Sequence, residues 1–436
     1  MNQNNSKNNL NTFIILWSTQ SLSQFGSAMT NFALTLWLYQ KTGSALQTAF
    51  LSISSYAPYV LMSIFAGALS DKWDKRKVML FSDTFAACAT VTVLILLKMD
   101  LLCPAHLYVL NAVNGLMNTI QQPASDVAMT LITPKDQYQK TSGLRSFSQS
   151  LVSILHPMAA TALFAAGGMD MVIAIDLSTF LVAFLTLLLW IKIPRLTEAK
   201  REEGEKIQRE SIWDSSKEGL RYLKKNPMIL DLILFLAGVN LVASAFDATL
   251  PAYILPRANG GKSILGIVTS CAGIATLMGS LLVTVLPKPK NRIQVITGTM
   301  LISLTIENFL LAFTGEPVLW CLGQILGWLV VPIMSANLDV ILRTSIPVEM
   351  QGRVYSCRNT LQYFTIPIGF FAAGWLVDCL WEPIMARQQS ESYLTGLFGT
   401  GKGAGASIMM FVLGLAGAII CIVFGRILQK YRYVEK

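Results

Sequence analysis

Long apolar runs, separated by short charged segments, are the dominant pattern along the chain. Residues 8–40 contain no Asp, Glu, Lys or Arg, and neither do residues 42–70. A helix needs about 20 residues to cross a hydrocarbon core of about 30 Å. Lipid cannot satisfy free backbone groups, and the alternating pattern of a membrane barrel is absent, so each run predicts a helix. The twelve predicted spans cover residues 8–40, 42–70, 78–98, 101–125, 146–169, 171–191, 227–250, 263–286, 293–314, 317–338, 359–377 and 403–425.

The composition agrees with this pattern. Of 436 residues, 53% are hydrophobic and 14% charged, whereas soluble proteins carry about 25% charged residues. The seven cysteines are scattered, with no CxxC and no Cys/His cluster, so we expect neither a disulfide framework nor a metal site. No small-residue cleavage site follows a short apolar segment, so the first apolar run is predicted to be a permanent span.

The basic residues lie mainly on one side of the predicted membrane. When loops are assigned alternately, one side holds 28 of the 34 Lys and Arg residues and the other side holds six. This positive-inside pattern predicts a multi-pass protein of the cell membrane with both termini in the cytoplasm. The net charge of +9 therefore reflects topology, and we expect no nucleic-acid partner.

A charged segment divides the twelve spans into two sets of six. Residues 192–225 carry 17 charges in 34 positions, which is typical of a solvated cytoplasmic linker, and their second half favours a short amphipathic helix. The predicted domains are therefore residues 1–191, 192–225 and 226–436. An ungapped shift of 213 residues supports two similar halves. It aligns Asp126 with Asp339, Lys140 with Arg353, Arg145 with Arg358, and Gln149 with Gln362.

The loop after the second span carries a recognisable motif, which begins Gly67-Ala-Leu-Ser-Asp71-Lys72 and continues Trp-Asp74-Lys75-Arg76-Lys77. It resembles the loop signature of the major facilitator superfamily. A glycine permits close helix approach, and such a charge cluster can hold helix ends together in one conformation and release them in another. Simple positive-inside anchoring is the alternative for the basic residues. The predicted gating residues are Gly67, Asp71, Lys72, Lys75, Arg76, Asp126, Arg145, Asp339, Arg353 and Arg358.

Further segments resemble the drug–proton antiporter branch of that superfamily, which contains macrolide-efflux proteins. They are Lys41-Thr-Gly-Ser-Ala, the segment from Pro347 to Ser356, Ala-Ile-Asp176, and Asp74 at a position where the superfamily has glycine. Many antiporters carry an arginine where this chain has Asn114. The resemblance implies an all-α integral membrane fold with twelve transmembrane helices in two pseudo-symmetric six-helix bundles. It also implies alternating access driven by the proton gradient, with no cofactor.

Uncharged amides recur on single faces of spans 1 and 4, at spacings of three and four residues. Polar groups facing lipid are costly, so these faces should meet protein or a watery cavity. One interpretation of the amides is that they form hydrogen bonds between helices. The corresponding interpretation of the aromatic residues is that they only pack against neighbouring helices. The resemblance favours a cavity instead, and amides suit bulky, mostly apolar ligands. The predicted cavity residues are Gln20, Gln24, Asn31, Asn111, Asn114, Asn118, Gln121, Gln149, Trp328, Gln362 and Tyr363.

Four titratable residues inside spans are candidates for proton coupling. A carboxyl group or imidazole held away from bulk water can pick up and release a proton. Asp247 is the first choice, because the resemblance puts its span beside the cavity. Asp176, Glu307 and His156 are the other candidates, and each also has a purely structural interpretation.

We therefore predict a secondary active exporter of amphiphilic small molecules such as macrolides, driven by protons and monomeric in the lipid bilayer. An importer of a small metabolite by proton symport is the alternative, because architecture does not set the direction of flux. An ATP-driven pump lacks its phosphate cradle, since Pro256 occupies the first glycine position before Gly261-Lys262-Ser263. An enzyme is disfavoured, because two histidines and dispersed acids form no catalytic constellation.

Overall fold

Helices joined by short loops make up the protein. The computed structural model describes residues 3–133, 137–191, 193, 212–389 and 392–431, and no strand occurs among them. The helices are α1 Gln3–Thr42, α2 Ala45–Lys72, α3 Lys75–Lys98, α4 Pro104–Ile132, α5 Tyr138–Leu189, α6 Ile212–Lys225, α7 Pro227–Ile254, α8 Lys262–Val285, α9 Arg292–Phe313, α10 Pro317–Leu329, α11 Val331–Ser345, α12 Val348–Tyr363, α13 Thr365–Leu376, the π-helical turn Val377–Trp381, α14 Glu382–Ala386, α15 Tyr393–Phe398 and α16 Ala404–Leu428.

These helices confirm the predicted all-α membrane fold. Within the described residues, eight helical stretches are long and apolar enough to cross a membrane. One of them, Lys140–Leu189, is 50 residues long and supplies two spans. Three further helices, α1, α2 and α4, are more polar than these eight stretches. They have 40, 28 and 29 residues and are also long enough to cross a membrane. The described helices therefore match all twelve predicted spans.

The break inside α5 occurs at two glycines between spans 5 and 6. Gly168 has φ +67° and ψ −161°, a conformation that side-chain-bearing residues rarely adopt. The preceding Gly167 is also non-helical, with φ −143° and ψ 17°. Because no other residue type fits at Gly168, the chain turns there without a longer loop.

The protein consists of two compact units. Unit 1 takes its described residues from 1–34 and 54–214, and unit 2 takes them from 35–53 and 215–436. The predicted domain limits at 191 and 225 stay a prediction, because residues 194–211 of the linker lie outside the described residues. At one end of unit 1, Phe13 and Leu16 of α1 pack with Met79 of α3 and Leu187 of α5 in an apolar cluster.

Unit 2 has a larger apolar core, built around α7. Most residues of this helix are buried, and it packs against α13 and α16, while α9 packs against α16 and α10. Tyr253 and Trp320 meet edge to face with ring centroids 5.4 Å apart. Arg257 lies 4.3 Å over the Tyr253 ring and donates to Ser407 Oγ, so its charge is paired with a π face and a hydroxyl.

The linker ends in the amphipathic helix α6, which belongs largely to unit 2. Glu218 of this helix forms an ion pair with Arg353 of α12 at 2.5 Å. Tyr222 donates its hydroxyl hydrogen to the Ser345 carbonyl at 3.0 Å, and desolvation by its surroundings raises the pKa of Tyr222. These contacts attach α6 to the segment that leads from α11 into α12.

The first turn of α2 lies in unit 2 and is capped by a carboxylate from the π-helical turn. Asp378 accepts hydrogen bonds from the Leu46 and Ala45 amides at 2.9 and 3.0 Å, and from Ser44 Oγ at 2.5 Å. A helix N-terminus has unpaired N–H groups and a partial positive charge, so an anion there is stabilising. Asp378 therefore ties the segment before α2 to the end of α13.

We expect Asp378→Ala to lower the apparent melting temperature of the detergent-solubilised protein by several degrees. Loss of an N-terminal cap costs about 1 kcal/mol, and alanine removes the acceptor of the Ala45 and Leu46 amides. Asp170→Ala is the matched control, because Asp170 forms an exposed ion pair with Lys98 that contributes about 0–1 kcal/mol. Equal melting of Asp378→Ala and the wild type would contradict the capping role.

Candidate functional site

A cavity of about 550 Å³ lies inside unit 1. Side chains of α1, α2, α3, α4 and both halves of α5 line it. Cavities of roughly 300–1,000 Å³ are typical of small-molecule sites. Its size and lining therefore make it the candidate ligand site of this unit.

The amide faces of α1 and α4 meet at this cavity. Gln20 and Gln24 are on α1 one turn apart, and Asn118 and Gln121 are on α4 at the same kind of spacing. The predicted residues that line the cavity are Gln20, Gln24, Asn31, Asn118, Gln121 and Gln149. A second cavity of about 80 Å³ shares part of this wall and is lined by Asn111 and Asn114.

Two carboxylates belong to the wall in addition to the predicted amides. Asp83 of α3 is 8% exposed and Asp176 of α5 is 4% exposed. Gln121 Nε2 donates to Asp83 Oδ1 at 2.5 Å. Asp176 accepts from Thr30 Oγ1 at 2.8 Å and from Ser27 Oγ at 3.2 Å. Neutral donors thus hold both acids in place.

Buried amides lie beside these carboxylates. Gln20 is 6% exposed, and its side chain hydrogen-bonds Asp83. In the smaller cavity, Asn114 Oδ1 is buried and has no partner among the described residues. A buried polar atom without a partner is costly, and a bound ligand can satisfy it.

Close packing of α1 on the second half of α5 creates the Asp176 site. A Cβ atom on Gly26 would lie 2.3 Å from Thr179 Oγ1 and 3.0 Å from the Asp176 Cα. Only glycine allows this approach, which brings Ser27 and Thr30 within hydrogen-bond distance of the carboxylate.

His156 lies outside the residues that line the main cavity. Its Nδ1 is 2.8 Å from the Val152 carbonyl one turn earlier in α5, and its ring meets Phe32 edge to face at 5.9 Å. These contacts are those of a packed histidine with a satisfied N–H group. Its coupling role stays a prediction.

The remaining cavity candidates lie in unit 2. Gln362 is in the last turn of α12, where its carbonyl accepts from Asn240 Nδ2 at 3.1 Å, and its buried Oε1 has no partner among the described residues. Trp328 is in the last turn of α10, and Tyr363 is the last residue of α12. None of these three is among the residues that line the cavity of unit 1, and their place at a substrate site stays a prediction.

The two unit 2 acids proposed for coupling differ in exposure. Asp247 of α7 is exposed, whereas Glu307 of α9 is 5% exposed. Glu307 Oε1 has no hydrogen-bond partner among the described residues. The neighbouring helix makes room for this side chain, because a Cβ atom on Gly327 would lie 2.4 Å from Glu307 Oε2.

The predicted gating residues of unit 1 make helix-end contacts. Arg145 of α5 pairs with Asp126 of α4. Arg76 donates to the Leu187 and Leu188 carbonyls and thereby caps the end of α5, while Lys75 donates to the Trp73 carbonyl. The side chains of Gly67, Asp71 and Lys72 lie outside the described residues, although the backbone there belongs to α2.

Asp74 has a local role that explains the departure from the superfamily pattern. It caps α3, because its side chain accepts a hydrogen bond from the Lys77 amide at 3.1 Å. Aspartate is among the preferred residues at such a position.

The matching gating residues of unit 2 have different partners. Arg353 pairs with Glu218, and Arg358 donates to Asn359 Oδ1. Asp339 of α11 is exposed. Beyond α16, Tyr431 donates to Asp231 Oδ2 at 2.8 Å, and this hydrogen bond raises the pKa of Tyr431.

Several lining residues had no role in the sequence-based prediction. Asp83, Tyr59 and Phe180 all face the cavity. Asp83 and Asp176 each interrupt an apolar run, and that signal identifies buried acids but not their common cavity. Tertiary packing of α3 against α4 and α5 brings them together.

Comparison with known protein families gives one match over most of the chain. The model of the Major Facilitator Superfamily matches residues 16–370. Macrolide efflux protein A of Streptococcus pyogenes is 26% identical over 370 residues, which cover 84% of this chain and 89% of that protein. Multidrug efflux pump Tap of Mycolicibacterium fortuitum is 24% identical over 360 residues, which cover 81% of this chain and 86% of the pump.

Comparison with solved structures gives the same fold. The crystal structure of the nucleoside transporter NupG aligns with a TM-score of 0.68 at 13% sequence identity. The alignment covers 97% of this chain and 100% of that chain. At this identity the likeness concerns the fold alone.

We expect Gly26→Ala to lower the melting temperature, because the added methyl group forces α1 away from Asp176. An overpacked contact of this kind costs about 1–3 kcal/mol. Gly143→Ala is the control, since a Cβ atom there meets nothing within 4 Å and alanine favours a helix. Thermal unfolding of the two purified variants checks this. Equal stability of the two variants would argue against close packing at Gly26.

Proposed function

Because the chain belongs to the Major Facilitator Superfamily, we propose that it is a secondary active efflux transporter that exports amphiphilic small molecules such as macrolides. In this proposal it lies in the cell membrane with both termini in the cytoplasm. It works by alternating access as a proton-coupled antiporter. Its family and fold are those of transporters, not of enzymes.

The observation that carries the proposal is the chemistry of the unit 1 cavity. Amides from three helices line about 550 Å³ together with Tyr59 and Phe180. Scattered polar groups among apolar and aromatic surfaces suit ligands of mixed character, because each ligand can satisfy a different subset of them. The names of the macrolide and multidrug efflux relatives support the same class of substrate.

Charged helix ends provide the elements that alternating access requires. The pair of Asp126 and Arg145 joins α4 to α5, and Arg76 attaches α3 to the end of α5. Ion pairs and caps at helix ends can form in one conformation and break in another at modest cost, since partly exposed pairs are weak. We propose that these contacts hold the helix ends together in one conformation and release them in the other.

For proton coupling, Asp247 remains the first choice and Asp176, Glu307 and His156 the alternatives. Asp247 lies within a membrane span, where a carboxyl group that takes up and releases a proton can couple transport to the gradient. Glu307 and Asp176 are buried, and each needs a path for the proton. Exchange of protons for substrate would draw on the proton gradient and needs no cofactor.

Import of a small metabolite by proton symport is the second candidate. The same fold occurs in the nucleoside transporter NupG, and a shared fold does not fix the direction of flux. The similarity in sequence to efflux proteins favours export.

Cells that produce the protein should accumulate less of a labelled macrolide or lipophilic dye than cells without it. Export lowers the concentration of the labelled compound inside the cell. A proton uncoupler removes the proton gradient that drives export, so it should restore accumulation of the compound. The measurement is uptake of a panel of macrolides, cationic dyes and peptides, with and without uncoupler. Higher accumulation in the producing cells would indicate import, and unchanged accumulation of every compound would contradict multidrug efflux.

Asp247→Asn should abolish gradient-driven flux while substrate binding stays within about twofold of the wild type. Asparagine preserves size but cannot take up a proton at physiological pH. Flux is measured in proteoliposomes with an imposed pH gradient, and binding is measured in detergent without one. Asp170→Asn serves as a control, because Asp170 is exposed and pairs with Lys98. Undiminished flux in Asp247→Asn would eliminate this residue as the proton carrier.

A further inference from the structure

The charge of the unit 1 cavity is of one sign. Among the residues that line it, Asp83 and Asp176 are the charged side chains, and none is Lys, Arg or His. The amides, hydroxyls and aromatic rings around them carry no formal charge. A ligand that enters this cavity therefore meets negative charge or none.

The carboxylates also lack a cationic partner among the described residues. Asp83 is held by Gln121, and Asp176 by Ser27 and Thr30, all of them neutral donors. Other acids of unit 1 do have cationic partners. Asp126 forms an ion pair with Arg145, and Asp170 forms one with Lys98. A buried carboxylate without a counter-charge is costly, so a cation from outside is stabilised at these two positions.

Neighbouring groups complete a site for an organic cation. Asn114 Oδ1 lies in the adjoining smaller cavity, which Asp176 also lines, and it is buried without a partner among the described residues. The Asn114 oxygen is an acceptor, which suits the N–H group of an ammonium ion. Tyr59 and Phe180 present aromatic surface to the apolar body of a ligand and to its charge.

We propose that the unit 1 cavity recognises organic monocations, with Asp83 and Asp176 as its charge-selecting residues, and that it rejects anions of the same shape. This rests on the proposed function as an amphiphile exporter and specifies the charge of the preferred substrates. Electrostatic selection of this kind works through both attraction and repulsion. Neutral amphiphiles remain possible ligands that bind less tightly.

The test is equilibrium binding of radiolabelled tetraphenylphosphonium to the purified full-length protein in detergent. Tetraphenylborate has nearly the same shape and the opposite charge, so competition between the two isolates the effect of charge. We expect unlabelled phosphonium to displace the label at least about tenfold better than borate does. Equal competition by the two ions would overturn the proposal without any variant.

Variants assign the selectivity to the two acids. Asp83→Asn and Asp176→Asn should each weaken phosphonium binding about tenfold or more, and Asp83→Glu should retain most of it. Asp170→Asn is the matched control outside the cavity and should bind as the wild type does. Thermal unfolding of each variant verifies that it is folded. Wild-type affinity in both asparagine variants would overturn the assignment.

The outcome is separable from that of the efflux experiment. Failure of phosphonium to bind, together with export of neutral or anionic amphiphiles from cells, would overturn the charge selectivity and leave the efflux function intact. Phosphonium binding that is lost in Asp83→Asn, together with unchanged accumulation of every compound in cells, would support the site and contradict efflux.

Discussion

The cost of placing a polar group in lipid governs this structure. Hydrocarbon offers no hydrogen-bond partner, so an amide or carboxylate within a span must find one in the protein or face a cavity. Gln121 meets Asp83, Ser27 and Thr30 meet Asp176, and the amides on α1 and α4 surround one common space. The position of the candidate site follows from this constraint, because these polar faces are where the helices of unit 1 cannot close on each other with apolar side chains.

Helix ends obey the same constraint in a different way. Asp74 caps α3, Asp378 caps the start of α2, and Arg76 satisfies carbonyls at the end of α5. Each contact joins a charged side chain to the backbone of a helix terminus, where the helix dipole favours it. Such contacts fix where the spans begin and end, and they can be broken without exposing apolar surface. That property suits a protein whose proposed function requires a conformational change.

Much of the fold was predictable from the sequence, because spans are determined by local composition. The twelve apolar runs matched helices, and the two-glycine turn at Gly167 and Gly168 lies just before the predicted end of the fifth span at residue 169. The loop motif led to the family that comparison then established. The content of the cavity was less predictable. Periodicity found the amides of α1 and α4, but Asp83 joins them only through packing of α3 on α4, which no single-helix pattern reveals.

The central claim is that ligands bind among the amides and carboxylates of unit 1. The most direct measurement is thiol labelling of Gln24→Cys in a variant whose seven native cysteines are replaced, with increasing tetraphenylphosphonium. Gln24 lines the cavity, so the account predicts that the labelling rate falls as the ligand saturates the protein. Lys98→Cys at an exposed helix end should be labelled at a constant rate. Saturable binding of the ligand with no protection of Gln24→Cys would contradict the account.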